Sequence, residues 1–283
     1  MDEDNQGPVC VRHQDRHTFL SCVRCGRPAC TECLIPASVG FHCVDCVKES
    51  SGLTPQMRRA QRAAKPTKPV VTITIIALTV FVYLLQQADK TIFFRFSLIG
   101  LAQYPLGTWI GVANGEWYRL LTVALLHASW IHIGFNMYAL WVLGPSIESA
   151  FGRSRFMTIY LASLLGGSTA SLLFNSPQIA GVGASGAIFG LFGATIVANK
   201  RLGRPVNSAY AIIAINLAIG FLVPNVDWHA HLGGLALGGL TSAVMVYGVR
   251  RPLLIGLALV GEAAILIGLI IIRVAALRTG AGL

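Results

Sequence analysis

The stretch FMTIYLASLLGGSTASLLFNSPQIAGVGASGAIFGLFGATIVAN, residues 156–199, contains no Asp, Glu, Lys or Arg. A single helix crosses a hydrocarbon core of roughly 30 Å with about 20 apolar residues, so this run is long enough to cross twice. Asn175-Ser176-Pro177 stands near its middle and carries the turn chemistry that divides it into two spans. Outward from it, further uncharged runs cover 70–88, a segment starting near His127 between Arg119 and Glu148, 205–226, 228–249 and 253–272. The expectation is seven spans. The whole chain agrees: of its 283 residues 54% are hydrophobic and only 12% charged, far from the composition of a soluble domain. Mean hydropathy is +0.63. The first apolar run begins only at Val70, behind a polar, cysteine-rich stretch, so no cleaved leader is expected.

The formal net charge of +10 would suggest nucleic acid in a soluble protein, but here the basic residues sit between apolar runs, where they orient the chain. With the N-terminus cytoplasmic, the inner connections hold Arg58, Arg59, Arg62, Lys65 and Lys68, then Arg153 and Arg155, then Lys200, Arg201 and Arg204, then Arg250 and Arg251. The outer side holds Lys90, Arg95 and Arg119, with Arg273 and Arg278 beyond the last span as counter-evidence. The excess lies inside, so an N-in multi-pass protein of a membrane, a bacterial plasma membrane, is expected, with lipid and not nucleic acid as its surroundings. The long first outer connection, 89–126, includes Ile92, Phe93, Phe94, Phe96, Trp109 and Trp117 and reads as a segment lying in the outer interface.

All seven cysteines fall between Cys10 and Cys46. Cys10-x-x-His13, Cys22-x-x-Cys25, Cys30-x-x-Cys33 and Cys43-x-x-Cys46 supply eight ligands at a spacing that lets both members of a pair reach one metal, enough for two tetrahedral structural zinc ions. An odd cysteine count and the expected cytoplasmic side argue against disulfides. His17 and His42 stand as substitutes for a ligand. The segment is too short for a good apolar core, so metal would supply much of its folding free energy. The expected division is a zinc-binding domain at 1–48, a basic linker at 49–69, a six-helix core at 70–250, and a seventh helix with its tail at 251–283.

Polar groups inside spans are expensive and tend to be functional. His127, His132 and Asn136 begin the second span, Ser185 the fourth, and His229 and His231 the sixth. Under the N-in topology all three helices start on the outer side, which brings these residues to one shallow depth. Ser185 lies in Gly183-Ala184-Ser185-Gly186, where small neighbours leave backbone N–H groups open at a helix start. Taken alone it is more often a packing motif. His231 shares a helix face with Gly234 and Gly238, and Gly186, Gly190 and Gly193 strip one face of the fourth span. Two such faces allow the close approach that a Ser185–His231 pair requires. His132 and Asn136, four residues apart, share a face and can both donate to a developing oxyanion, although alone they read as helix–helix glue. There is no HExxH, the spans contain no cysteine, and Asp89 and Asp227 lie outside the spans. A Ser–His dyad is therefore expected, with no cofactor for catalysis. Glu262, near the middle of the last span, is an exception to the apolar rule and reads as a group paired inside the bundle.

In this order and on these helices, His127-Ala-Ser-Trp-Ile-His132-Ile-Gly-Phe-Asn136, Gly183-Ala-Ser185-Gly186 and Ala230-His231-Leu-Gly-Gly234 resemble the rhomboid proteases over residues 70–250. Glu116-Trp-Tyr-Arg119 is similar to the family's loop motif, with Tyr118 where Trp is usual, and Phe189 stands where some members have Tyr. The resemblance implies an all-α polytopic membrane protein, a rhomboid-like six-helix core plus one C-terminal transmembrane helix, preceded by a small zinc-binding domain. It also implies Ser185 as nucleophile, His231 as general base, and His132, Asn136 and the Ser185 N–H as oxyanion hole. The activity implied is endoproteolysis of single-span membrane proteins at or near the outer face. The cysteine segment resembles a B-box zinc finger, which implies cross-bracing: first pair with third, second with fourth. Its role is expected to be regulatory, through a protein partner.

Overall fold

The computed structural model describes residues 7–37, 39–50, 68–103, 107–222, 226–248 and 251–283. Arg58, Arg59, Arg62 and Lys65 of the linker, and Arg250, lie outside the described residues. Two compact units form, Met1–Pro66 and Thr67–Leu283.

The first unit has little regular structure. Strands β1 (Leu34–Pro36) and β2 (Phe41–Cys43) pair antiparallel, with Leu34 opposite Cys43 and Pro36 opposite Phe41, and the short helix α1 (Val44–Ser50) follows. Its interior consists of Cys10, Cys22, Ala29, Cys30, Cys33, Cys43 and Cys46, with Leu34 against them. An interior built mainly of thiols has almost no hydrocarbon to hide, so it depends on what the thiols bind.

Among its described residues the second unit carries seven long helices, one for each apolar run. They are α2 (Val70–Ala88), α5 (Trp130–Phe151), α6 (Arg153–Phe174), α7 (Ser185–Arg201), α8 (Asn207–Leu222), α9 (Trp228–Tyr247) and α10 (Pro252–Gly280). Between α2 and α5 run α3 (Thr91–Phe96), the two-residue strands β3 (Ala102–Gln103) and β4 (Trp109–Ile110), and α4 (Arg119–Thr122). By length and apolarity α2, α6, α9 and α10 each suffice to cross a bilayer, and Arg119–Leu125 with α5 reaches the same measure only as a pair bent by 94° at its break. Helices α7, at 17 residues, and α8, at 16, are shorter than the expected spans. For α7 the reason is its place: residues Gly186–Ala194 are buried without interruption, so it runs among other helices rather than against lipid.

Glycine draws α6, α7 and α9 together. A Cβ on Gly166 would stand 2.8 Å from the Gly233 carbonyl oxygen, and one on Gly193 would stand 2.9 Å from that of Leu235. A Cβ on Gly234 would overlap the Gly186 carbonyl, and at both Gly190 and Gly238 it would overlap Ser163 Oγ. That hydroxyl donates to the Ile159 carbonyl at 2.6 Å and fills the gap where the three helices meet. In lipid, where burial of apolar surface gives helices no reason to associate, close backbone contact of this kind is what holds them. Helix α8 is different: Ala209 and Ile213 are buried, but Tyr210, Ile212, Ile215, Ile219 and Leu222 are exposed.

Helix α2 buries Thr72, Ile75, Thr79, Tyr83 and Gln86 on one face. Its first turn is closed from outside, because fully buried Glu148 on α5 accepts from the N–H of Val71 (3.0 Å) and Thr72 (2.8 Å) and from Thr72 Oγ1 (2.8 Å). A carboxylate at a helix N-terminus satisfies donors that the helix cannot. Glu148 was expected only as the edge of a span.

Helix α10 explains two residues that the charge pattern did not. Thr241 Oγ1 of α9 donates to Glu262 at 2.6 Å, so the mid-span carboxyl is paired inside the bundle. Arg273, counted as an outward positive charge, donates from Nε to the Leu172 carbonyl at 3.0 Å, in the last turn of α6. There a guanidinium meets carbonyls that the helix leaves open.

Candidate active site

Ser185 is the first residue of α7. The first ladder bond runs from Ile188 N–H to the Ala184 carbonyl, so the N–H groups of Ser185, Gly186 and Ala187 have no partner within the helix. Gly183, at φ 126°, sets the entry, a conformation that L residues with side chains rarely adopt. Its N–H donates to the Val123 carbonyl at 2.9 Å.

His132 approaches from α5. Ser129 caps that helix by accepting from His132 N–H, which places the imidazole in the first turn. A Cβ on Gly183 would stand 2.9 Å from His132 Nε2 and 3.7 Å from Ser185 Oγ, so glycine leaves room for both. His132 Nδ1 faces the Ala128 N–H at a long 3.4 Å. An Nδ1 that accepts leaves the proton on Nε2, the nitrogen on the Ser185 side. Asn136, one turn on, is buried and donates from Nδ2 to the His132 carbonyl at 2.9 Å.

His231 stands in the first turn of α9, buried, its ring stacked on Phe189 with centroids 4.2 Å apart and planes 6° apart. Phe189 is one turn below Ser185, so the stack couples the two residues across the α7–α9 contact. Backbone confirms the closeness: a Cβ on Gly186 would lie 3.2 Å from the carbonyl of Ala230, the neighbour of His231. Among the described residues no hydrogen bond joins Ser185 to His231, and His231 Nδ1 is buried without a partner. Such bonds are often loose without substrate and tighten around it. Among the described residues no carboxylate bonds the ring. Asp227, expected in the loop, is the N-cap of α9, where its Oδ1 accepts from Ala230 N–H at 3.0 Å. His229 lies beside that carboxylate at 3.8 Å and stacks on Phe174, away from the Phe189–His231 stack.

A small cavity opens at Ser185, walled by Gly167, Gly181, Gly183 and Gly186 with Ser168, Ser171, Asp227 and Ala230 among its other lining residues. His127 is fully buried in the bend before α5. Its backbone exchanges hydrogen bonds with the Gln86 side chain at 2.7 and 3.2 Å, its ring meets those of Tyr83 and His132 edge to face, and among the described residues no hydrogen bond of good geometry reaches either ring nitrogen.

The loop motif is a buried charged node. Arg119 donates from Nε to Glu116 at 2.8 Å and from Nη1 to the carbonyls of Phe94 and Ser97, both at 2.7 Å. Glu116 also accepts from Gly111 N–H. Burial works to raise the Glu116 carboxyl, but Arg119 and the Gly111 N–H outweigh it and hold it below the usual range. The interfacial loop is thereby tied to itself through one guanidinium. Tyr118, in the place where Trp is usual, is exposed and joins the node, its hydroxyl donating to Glu116 Oε1 at 3.3 Å and its ring centroid lying 5.7 Å from the Arg119 guanidinium.

In the first unit Cys10, His13, Cys30 and Cys33 form one quartet of ligand atoms, and Cys22, Cys25, Cys43 and Cys46 a second, each within 4.8 Å of one another. Tetrahedral zinc with its usual bond lengths sets sulfur–sulfur edges of about 3.8 Å and nitrogen–sulfur edges of about 3.5 Å. Cys25 Sγ and Cys43 Sγ are 3.7 Å apart, and His13 Nδ1 lies 3.3 Å from Cys30 Sγ and 3.4 Å from Cys33 Sγ. The donor sets fit two metal ions, cross-braced as the B-box resemblance implied. His17 bonds the Gly7 carbonyl, and neither it nor His42 joins a quartet.

The rhomboid domain family matches residues 114–248. Over 181 residues the chain is 38% identical to rhomboid protease GluP of Bacillus subtilis, which covers 62% of this chain and 34% of that protein. It is 34% identical over 190 residues to the putative rhomboid protease YdcA of the same organism, covering 65% of this chain and 92% of that one. To rhomboid protease AarA of Providencia stuartii it is 29% identical over 209 residues, 62% of this chain and 72% of that protein. The chain thus spans about a third of GluP and nearly all of YdcA.

Proposed function

Since the chain belongs to the rhomboid family, whose named relatives are proteases, we propose that it is an intramembrane serine endopeptidase working through a Ser185–His231 dyad on single-span membrane proteins, near the outer side of the bilayer. The observation that carries this is the gathering of three helix starts around Ser185. Ser185 stands on α7 with open N–H groups, His132 Nε2 lies across Gly183, and His231 sits over Phe189.

In the proposed reaction His231 takes the proton of Ser185 Oγ as the oxygen attacks the scissile carbonyl carbon. The carbonyl π electrons move to oxygen, and that oxyanion is met by the Ser185 N–H, His132 Nε2–H and Asn136 Nδ2–H. Asn136 gives one Nδ2 hydrogen to the His132 carbonyl and has its second for the oxyanion. Collapse breaks the C–N bond, His231 gives its proton to the leaving amine, and Ser185 keeps the acyl group. Water, deprotonated by His231, then frees the acid and restores the serine. The unpartnered Nδ1 and the engagement of Asp227 with Ala230 favour a dyad over a triad.

The core of this activity is assigned to 70–250, and 251–283 adds the seventh helix. The head at 1–48 holds two structural zinc ions on the cytoplasmic side of a bacterial plasma membrane, joined by the 49–69 linker, and its role is to bind a regulatory protein partner. The test is purified protein acting on a generic single-span substrate. Ser185→Ala and His231→Ala each abolish cleavage with the fold intact. Wild-type rates in Ser185→Ala would end the serine-protease reading.

A further inference from the structure

The two ligand quartets of the head differ in access. Six of the cysteines are at most 7% exposed, whereas Cys25, in the second quartet, is exposed. Its turn explains this. Gly26 N–H donates to the Cys22 carbonyl at 2.8 Å, Cys22 N–H donates to the Arg27 carbonyl at 3.0 Å, and Gly26 sits at φ 69°. A Cβ on Gly26 would meet nothing within 4 Å, so the approach over the turn is open among the described residues. Arg27 Nε donates to Cys25 Sγ at 3.4 Å. A cation beside a sulfur favours the thiolate, the form that attacks electrophiles. Cys43 Sγ lies 3.7 Å from Cys25 Sγ. The backbone keeps these two residues together, because Val23 N–H donates to the Phe41 carbonyl at 2.9 Å and ties the turn to β2. In the first quartet, by contrast, all three thiols are buried and the fourth ligand is the His13 imidazole.

We propose that the second zinc centre is an oxidation site, at which the Cys25 thiolate attacks a peroxide, Cys43 closes a disulfide with it, and one zinc ion leaves while the first quartet keeps its own. The assignment rests on the two-zinc reading of the head. Cys25 Sγ bonds one peroxide oxygen, the O–O bond breaks, and the other oxygen departs as hydroxide or alkoxide and takes a proton from water. Cys25 is then a sulfenic acid. The Cys43 thiolate attacks its sulfur, the S–O bond breaks and hydroxide leaves. Two thiolates have given up two electrons, and the peroxide has accepted them. Closing the bridge brings the sulfurs to about 2.05 Å, a short movement for side chains on tied elements. The metal loses two of its four thiolates, and with them most of its hold. Because thiols form the interior of the head, its second half loses what organises it. All seven cysteines lie between Cys10 and Cys46, so a peroxide meets no thiol in the membrane unit.

The test uses the purified full chain in detergent, shown by metal analysis to hold two zinc ions. Hydrogen peroxide is added, released zinc is read with a chromogenic chelator, and cross-links are mapped by mass spectrometry at first release. One ion per chain is expected to leave, the second at least about tenfold more slowly, the gap between an exposed and a buried thiolate. The first disulfide is Cys25–Cys43, and a thiol reductant with added zinc restores both ions. Cys25→His keeps a zinc ligand but removes the attacking sulfur, and zinc loss slows by at least about fivefold. A first disulfide other than Cys25–Cys43, two ions leaving at one rate, or a zinc-loaded Cys25→His variant that loses zinc as fast as the wild type overturns the oxidation site. The wild-type map decides even where the variant fails to load. Fewer than two ions before peroxide is added would instead end the two-zinc reading, and this site with it.

Discussion

At His132 and Asn136 the oxyanion assignment turns on donors rather than on charge. His132 has its Nε2 on the Ser185 side, and Asn136 keeps a second Nδ2 hydrogen beside the one it gives the His132 carbonyl. Removing either group costs one of several donors, so His132→Ala or Asn136→Ala is expected to lower kcat by about 10²-fold without abolishing it. Single-turnover kinetics in detergent measures this, and a rate within a factor of two of wild type would remove that residue from the oxyanion hole. Glu148 acts on stability instead. It satisfies three donors at the start of α2 from a fully buried position. Glu148→Ala strands them and is expected to destabilise the fold by about 3 kcal/mol, while Glu148→Gln, still an acceptor, costs about 1 kcal/mol. Thermal unfolding in detergent separates the two, and equal midpoints for both variants would contradict the capping role.

Among the elements, α6, α7 and α9 are held by backbone contacts at Gly166, Gly190, Gly234 and Gly238, whereas α8 has few buried residues and much exposed aliphatic surface. Among its described residues α8 meets its neighbours closely only near Gly220, whose Cβ would stand 3.0 Å from Trp228 Cβ, and at Tyr210, whose ring lies 5.8 Å from Lys200 Nζ, which makes it the wall most able to move aside for a substrate entering from lipid. Cysteines engineered in pairs between α8 and α5 are expected, once oxidised, to block cleavage of single-span substrates and to release it on reduction. Because native cysteines occur only at positions 10–46, the experiment is clean in a chain lacking the head. Normal cleavage by the cross-linked enzyme would place entry elsewhere. Helix α10 belongs with the locked elements despite its lipid exposure, since Glu262–Thr241 ties it to α9 and Arg273–Leu172 to the end of α6.

For the whole molecule, the chain joins a unit whose interior is ligand atoms to a unit whose interior is helix packing. The two quartets predict two zinc ions per chain, measurable by metal analysis of the purified full chain, and one ion or none would contradict the assignment. No metal-ligand cluster occurs in the second unit among the described residues. Chelation, or deletion of residues 1–56, is therefore expected to leave basal cleavage nearly unchanged, within about twofold, because the proposed dyad needs no metal. Loss of activity in a truncated protein that still folds would show that the head is coupled to catalysis.

The sequence by itself determined the features that repeat or pair locally. Uncharged length marked seven helices, Cys-x-x-Cys spacing marked eight ligands, and the i, i+4 spacing of His132 and Asn136 put them on one face, because each depends only on near neighbours along the chain. Topology alone brought Ser185, His132 and His231 to one end of the bundle. What needed the tertiary structure were partners distant in sequence. Glu148 reads as a span boundary until α2 lies against it, and Arg273 as a topology charge until the end of α6 accepts its hydrogen. Asp227 did carry a local signal, an N-cap residue directly before an apolar run. Its place in the cavity wall appears only when α9 stands beside α7. A polar group's function follows from which unsatisfied donor or acceptor it meets, and long-range packing decides that meeting.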